Sequence, residues 1–292
     1  MLRMRRFINE LKHPGIEAQR EEFETVARTF KILPDVELES VEIEGLDAEW
    51  VKIHGQSPEI FILYLHGGGY SLGSIQTHRE LVSRIARACE AKALVLDYRL
   101  APENPFPAAI EDALAAYRYM LQQNISPQKI VVMGDSAGGG LTMSTLLSIR
   151  DKGEKMPCAG VCISPWVDLA GTGDSLKTRA HLDSMISPKI LPEMARQYLG
   201  NEDPKNPLVS SIYADLSHLP PLLIQVGTNE VLFDDSTRLA QRAKECNVQV
   251  DLDIWESMGH VWHFFGSLLP QSNQAIDKIA NFIKPRASCS SL

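Results

Sequence analysis

The sequence predicts an α/β fold: a mostly parallel central sheet with helices on both faces and a helical cap over the strand ends. Three observations carry that expectation. Apolar strand patterns alternate with helical patterns along most of the 292 residues, and the alternation breaks once, over residues 169–217. A serine flanked by glycines, Gly134-Asp135-Ser136-Ala137-Gly138, sits where a strand pattern gives way to a helical one. Strands joined through helices run parallel and are covered on both faces, so the alternation itself argues for the layered arrangement.

Taken in order, residues 1–35 read as helical, with Phe7, Ile8 and Leu11, then Phe23, Val26, Ala27 and Phe30, at helical spacing. Residues 36–43 and 49–53 alternate apolar with polar, as antiparallel strands do. Residues 59–65 form a fuller apolar strand that ends in His66-Gly67-Gly68-Gly69. A helix over 77–91, a strand over 93–97 and a helix over 106–122 follow, the last with Pro107 in its first turn, where a missing N–H is tolerated. Lys129-Ile130-Val131-Val132-Met133 is a β-branched strand leading into the serine turn, residues 139–147 read as buried helix, and 160–164 as the next strand. Residues 169–217 are rich in Pro, Gly and Ser, with amphipathic pieces such as 189–199; an insertion packed over the strand ends, together with the N-terminal helices, accounts for them. Alternation resumes with a strand over 221–227, a helix over 236–246, a strand over 248–255 and a final helix over 271–283.

Composition narrows the function classes. A chain of this length with 44% hydrophobic residues can bury a large core as one domain, with or without a lid. The net charge of -8 argues against a nucleic-acid or anionic-membrane partner, either of which wants a basic face. The basic opening Met1-Leu2-Arg3-Met4-Arg5-Arg6 is not followed by an apolar signal core, and no run approaches the length of a membrane span. The cysteines at 89, 158, 162, 246 and 289 are odd in number and scattered, which reads as reduced thiols and a cytoplasmic location. No metal-ligand cluster and no dinucleotide fingerprint occurs, so neither metal nor cofactor is expected. The last strand, 248–255, offers an edge through which a homodimer would form, although the alternating Asp251 and Asp253 are also what a protected edge looks like.

The chemistry resides in three stretches. A serine on a sharp strand-to-helix turn has its hydroxyl pushed out to where substrate can reach it, and the flanking glycines permit the strained backbone. Such a hydroxyl needs a base, and the base needs an orienting carboxylate. His260, in the loop after the last strand, sits where the base belongs in the chain order Ser, acid, His, with His263 as the nearest rival. His66 reads as bracing its glycine loop by hydrogen bonding, and His13, His54, His78, His181 and His218 as surface or loop residues. The acid belongs just after the strand 221–227, where Glu230 stands; Asp234 is the alternative, and it and Asp235 also suit the N-terminus of the next helix. Gly67, Gly68 and Gly69 offer side-chain-free amides for an oxyanion, and Ala137, at the start of the helix after Ser136, offers another. No Gly-Lys-Ser/Thr follows the triplet, which disfavours a phosphate loop.

His66-Gly67-Gly68-Gly69, Gly134-Asp135-Ser136-Ala137-Gly138-Gly139 and Asp97-Tyr98-Arg99-Leu100-Ala101-Pro102-Glu103 together resemble the hormone-sensitive-lipase-like family of α/β-hydrolases, over roughly residues 60–265. The match extends to Pro105-Phe106-Pro107-Ala108-Ala109 and Leu219-Pro220-Pro221. The resemblance implies an α/β-hydrolase fold and a serine carboxylesterase acting through an acyl-enzyme. Its catalytic domain would be 36–168 with 218–292, its cap the N-terminal 1–35 and the insertion 169–217. By position it makes Ser136 the nucleophile, His260 the base, Gly68, Gly69 and Ala137 the oxyanion donors, and Gly67 mainly a turn residue. Where the family commonly has Asp-Pro-Leu, this chain reads Glu230-Val231-Leu232, as some members do. Asp97 and Arg99 read as structural, and Asp135 as ordering the elbow. Tyr70, Trp166, Ile186 and Val261 are the expected substrate contacts, with Phe7, Phe30 and Met185, and then Leu208, Ile212 and Trp262, as further lining. Short-to-medium acyl esters are the expected substrates. An amide or N-acyl hydrolase or deacetylase with the same triad is the alternative, and a non-catalytic small-molecule receptor on this fold is a second one.

Overall fold

The computed structural model describes residues 15–288. The helical stretch expected before them, with Phe7, Ile8, Leu11 and His13, lies outside the described residues, as does Cys289. In chain order the elements are α1 (Ile16–Ala27), β1 (Val36–Ile43), β2 (Leu46–Ile53), β3 (Ile60–Leu65), α2 (Ile75–Cys89), β4 (Ala91–Leu96), α3 (Ala108–Gln122), β5 (Ile130–Asp135) and α4 (Ala137–Asp151). There follow β6 (Ala159–Ile163), the single turn α5 (Ser175–Thr178), α6 (Leu191–Leu199), β7 (Leu222–Gly227), α7 (Phe233–Glu245), β8 (Val250–Trp255) and α8 (Pro270–Ser288).

The eight strands form one sheet in the order β1-β2-β4-β3-β5-β6-β7-β8. β1 and β2 pair antiparallel, as their alternating sequences require, and β2 meets β4 antiparallel; every later pairing is parallel. The central strands β5, β6 and β7 are buried along their whole length, β3 everywhere but at Phe61, and they carry apolar side chains to both faces. Leu63, Leu65 and Val132 join α3, α4 and α7 in one apolar layer, whereas Ile62, Tyr64, Val131 and Met133 join α2 and α8 in the other. β3 is followed by a crossover to β4 on one side, and β4 by a crossover to β5 on the other. The carboxyl ends of β3 and β5 therefore flank a reversal of winding direction, where open α/β sheets bind ligands.

Local chemistry shifts several element boundaries from the sequence expectation. α2 begins two residues early because Ser74 caps it, accepting from Thr77 N while Thr77 Oγ1 accepts from Ser74 N. α7 begins at Phe233, so Asp234 and Asp235 stand inside its first turn. α8 runs on to Ser288 through Pro285. The break in alternation over 169–217 holds only α5, α6 and a 3₁₀ turn at Ser211–Tyr213. β8 is an edge strand, with Ile254 exposed and with Asp251 and Asp253 engaged by Arg286 and Lys278. No helix among the described residues is long and apolar enough to cross a membrane.

Candidate active site

The turn between β5 and α4 holds Ser136 at φ 53, ψ −120, a backbone state that an L-residue keeps only when its surroundings impose it. They do so here: Ser136 N donates to Ile163 O at 2.8 Å, and Trp166 N donates to Ser136 O at 2.9 Å. The turn also needs bare backbone beside it. A Cβ on Gly138 would stand 1.9 Å from Leu65 O, so this close approach of helix to strand admits glycine alone.

β3 lies beside β5, with Leu65 opposite Gly134, and so delivers the glycine loop alongside the serine turn. Asp135 joins the two. Its Oδ1 accepts from Tyr64 Oη at 2.8 Å and from Gly67 N at 3.2 Å, and lies 3.4 Å from His78 Nε2. Burial pulls the Asp135 carboxyl upward, but His78 and Tyr64 override it and hold the pKa below its ordinary value. Asp135 is thus a cross-loop tie rather than a local turn group. His78, expected at the surface, is buried on α2, because helix α2 packs its first turn under the glycine loop. His66 braces the loop through Nδ1 to Gly67 O at 2.8 Å and stacks on Tyr98 at 4.2 Å between ring centroids. Burial, with His78 alongside, takes its pKa down to about 3, so it is neutral. Gly67 N being engaged, the Gly68 and Gly69 amides are the loop's remaining donors beside Ser136, and no acceptor among the described residues takes either. Ala137 N, at the first position of α4, has no partner within its own helix.

Glu230 and His260 come from the loops after β7 and β8, neighbours in the sheet. Glu230 Oε2 lies 3.0 Å from His260 Nδ1, and its Oε1 accepts from Gly227 N at 2.6 Å and Ser164 Oγ at 2.8 Å. Burial lifts the Glu230 pKa above the ordinary value even against these hydrogen bonds. Burial lowers that of His260, but the bond and charge of Glu230 outweigh it and the net shift is upward. Asp234 does not join this pair: its Oδ2 accepts from Ser175 N at 2.8 Å. Nor does His263, whose Nε2 meets Gln225 Oε1 at 2.9 Å and whose pKa burial drives down to about 3.

Ser136, His260, Gly68 and Gly69 line one cavity of about 100 Å³, roofed by Phe23, Val26 and Phe30 from the α1 region and by Met185 and Ile186. Trp166 and Val261 stand on its wall; Tyr70 does not. Tyr70 is buried behind it, its ring stacked on Tyr198 at 3.7 Å, because two flat aromatic faces fill the space under α6. Leu208, Ile212 and Trp262 are likewise off the wall: the first two pack on the α3–α4 layer, and Trp262 packs against Trp255 and His263. Among the described residues no cluster of three or more His, Cys, Asp or Glu suited to a metal ion occurs.

Three supporting side chains carry no motif. Ser164, at the end of β6, donates to Glu230 and accepts from Val261 N at 3.2 Å, so it spans the acid and base loops. Asp183 accepts from Val231 N, Met185 N and Ile186 N, each at 2.9 Å, and thereby ties the acid loop to the cavity roof. Tyr64 alternates into the sheet face like any core residue until Asp135 is placed beside it. The position of Ser164 at a strand's carboxyl end was the one available signal.

The chain is similar to known proteins over most of its length. A family model described as alpha/beta hydrolase fold matches residues 62–264. An acetyl-hydrolase of Streptomyces hygroscopicus is 46% identical over 237 residues, 81% of this chain and 79% of its own. The crystal structure of an esterase from the bacterial hormone-sensitive lipase family has a TM-score of 0.94 at 43% identity, covering 98% of this chain and 97% of that one. A crystal structure of EstE5 soaked by p-nitrophenyl butyrate has a TM-score of 0.92 at 46% identity, covering 99% and 98%.

Proposed function

The chain belongs to the hormone-sensitive-lipase-like family of α/β-hydrolases and is a serine carboxylesterase, and we propose that Ser136, His260 and Glu230 are its catalytic triad. The observation that carries the assignment is the buried Glu230–His260 pair, whose His260 lines the same cavity as Ser136. Glu230 engages Nδ1 and so reserves Nε2 of the same ring for the serine proton. Ser136 Oγ gives that proton to His260 and attacks the ester carbonyl carbon. The carbon–oxygen bond to the alcohol breaks, and the alcohol leaves with the proton from His260. Water, deprotonated by the same ring, then releases the acid. The oxyanion of each intermediate meets the amides of Gly68, Gly69 and Ala137, each such donor contributing about 10²–10³ in rate.

Residues 36–168 and 218–292 supply this machinery, with residues 169–217 and the N-terminal segment as its cap. The free thiols among the described residues, Cys89, Cys158, Cys162 and Cys246, support a cytoplasmic setting, and the β8 edge supports pairing with a second copy.

The cavity supports short-to-medium acyl groups, since an apolar cavity of about 150 Å³ holds one benzene and this one is about 100 Å³. The relatives named for acetyl hydrolysis and soaked with a butyrate ester point the same way. A p-nitrophenyl ester series is expected to peak in kcat/KM below about ten carbons, each misfitting methylene costing about 1–3 kcal/mol; an optimum beyond that length contradicts the reading. The pH profile follows from His260. A base must be neutral, and a pKa raised above 6.5 keeps the ring protonated to higher pH. The acid limb of kcat/KM is therefore expected above pH 6.5. A limb well below it contradicts the assignment of His260.

A further inference from the structure

Two cavities in this molecule share a partition. Trp166 and Leu191 line the cavity of Ser136 and His260, and both also line a second one of about 170 Å³ on their far side. The second cavity is walled by Leu169, Leu176, Pro188 and Leu232, with Asp168 and Asp235 along one side. Gly171 and Pro192, also on its wall, are exposed, so it reaches the surface.

The partition is fixed from several directions. Trp166 is only 3% exposed, and its backbone N–H is bonded to Ser136 O. The next two amides, Val167 N and Asp168 N, both donate to Asp235 Oδ2 at 2.9 Å. Asp168 in turn is paired with Arg238 at 2.8 Å. Burial raises the pKa of Asp235 to about 8, so at neutral pH its carboxyl is uncharged and compatible with an apolar neighbour.

We propose that Trp166 and Leu191 set the acyl-chain limit of this enzyme, and that the cavity behind them is a latent subsite for a long, unbranched hydrocarbon chain. The inference rests on Ser136 as the acyl-carrying nucleophile. Trp166, Leu191 and Ser136 line the same cavity, so an acyl group on Ser136 Oγ meets this wall, and trimming the wall gives the chain a second, mostly apolar space with an exit to solvent. Each methylene that leaves water there is worth about fourfold in affinity.

The test is the ratio of kcat/KM for the ten-carbon over the four-carbon p-nitrophenyl ester in wild type, Trp166→Leu and Leu191→Ala. Two independent variants guard against one that fails to fold. A rise of at least about tenfold is expected in the ratio, with reversal when Ala170→Phe is added to fill the second cavity. Hydrolysis of the four-carbon ester with an unchanged ratio overturns the proposal. So does a rise that Ala170→Phe leaves in place, or one that appears only for butyrate esters of longer alcohols. A wild-type protein that hydrolyses neither ester overturns instead the reading of Ser136.

Discussion

Ser136→Ala is expected to lower kcat on p-nitrophenyl butyrate by about 10⁶, His260→Ala by about as much, and the double variant by no more than either. The near-equality follows from how the two groups act. The hydroxyl has no nucleophilic strength until the imidazole takes its proton, and the imidazole has no substrate to act on without the hydroxyl. Removing one member therefore removes the function of both. A residual rate of about 10³–10⁴ over water is expected, because the Gly68, Gly69 and Ala137 amides and the cavity survive. A fluorophosphonate should label wild type at Ser136 and leave Ser136→Ala unlabelled. The fold should tolerate the serine change, since the hydroxyl makes no bond that holds the turn: the backbone contacts to Ile163 and Trp166 do that. Full esterase activity in either variant, or labelling at another residue, overturns the triad.

How much of this was legible in the sequence depends on the distance over which each interaction acts. The parallel sheet, the elbow at Ser136 and the glycine loop were readable because strand periodicity, glycine spacing and chain order are local or ordered signals. Glu230 was readable by its place after β7, yet Asp234 is only four residues on, and no local pattern separates a carboxylate that turns towards β8 from one that caps α5. His78 was misread for the same reason. Its spacing to Leu81, Val82 and Ile85 puts it on the buried face of α2, but only the packing of α2 under the glycine loop brings it beside Asp135. Ser164 and Asp183 act between segments far apart in sequence, so apart from the place of Ser164 at the carboxyl end of β6 no local pattern marks either. Tyr70 follows the glycine triplet and looks like lining, but its ring finds Tyr198 from α6. Side chains contributed by the insertion were the least readable, since an irregular segment has no period to place them.

Glu230 and Asp234 are separated by a second pair of substitutions. Glu230→Gln is expected to lower kcat by about 10⁴ while the protein stays folded. Glu230 receives donors on both oxygens: Gly227 N and Ser164 Oγ at Oε1, and His260 at Oε2. A carboxylate accepts from all three, but an amide has one oxygen and one NH₂. If its oxygen stays on Gly227 and Ser164, the NH₂ faces His260 Nδ1 and forces the ring's proton onto Nε2, where the base must be empty. If it turns over, the NH₂ meets the Gly227 amide head on, and a buried donor is left unsatisfied at a cost of about 1–3 kcal/mol. Either way the neutral ring is held in the wrong tautomer or the loop shifts. The charge that raised the His260 pKa is also gone, so the acid limb of kcat/KM should move to lower pH in this variant. Asp234→Ala has none of these consequences. It frees Ser175 N and removes an acidic group from the first turn of α7, so thermal stability should fall by about 1 kcal/mol with kcat and the acid limb unchanged. The opposite pattern, with the Asp234 variant inactive and the Glu230 variant active at an unshifted limb, would move the acid four residues along the chain and leave the Glu230–His260 contact a structural one.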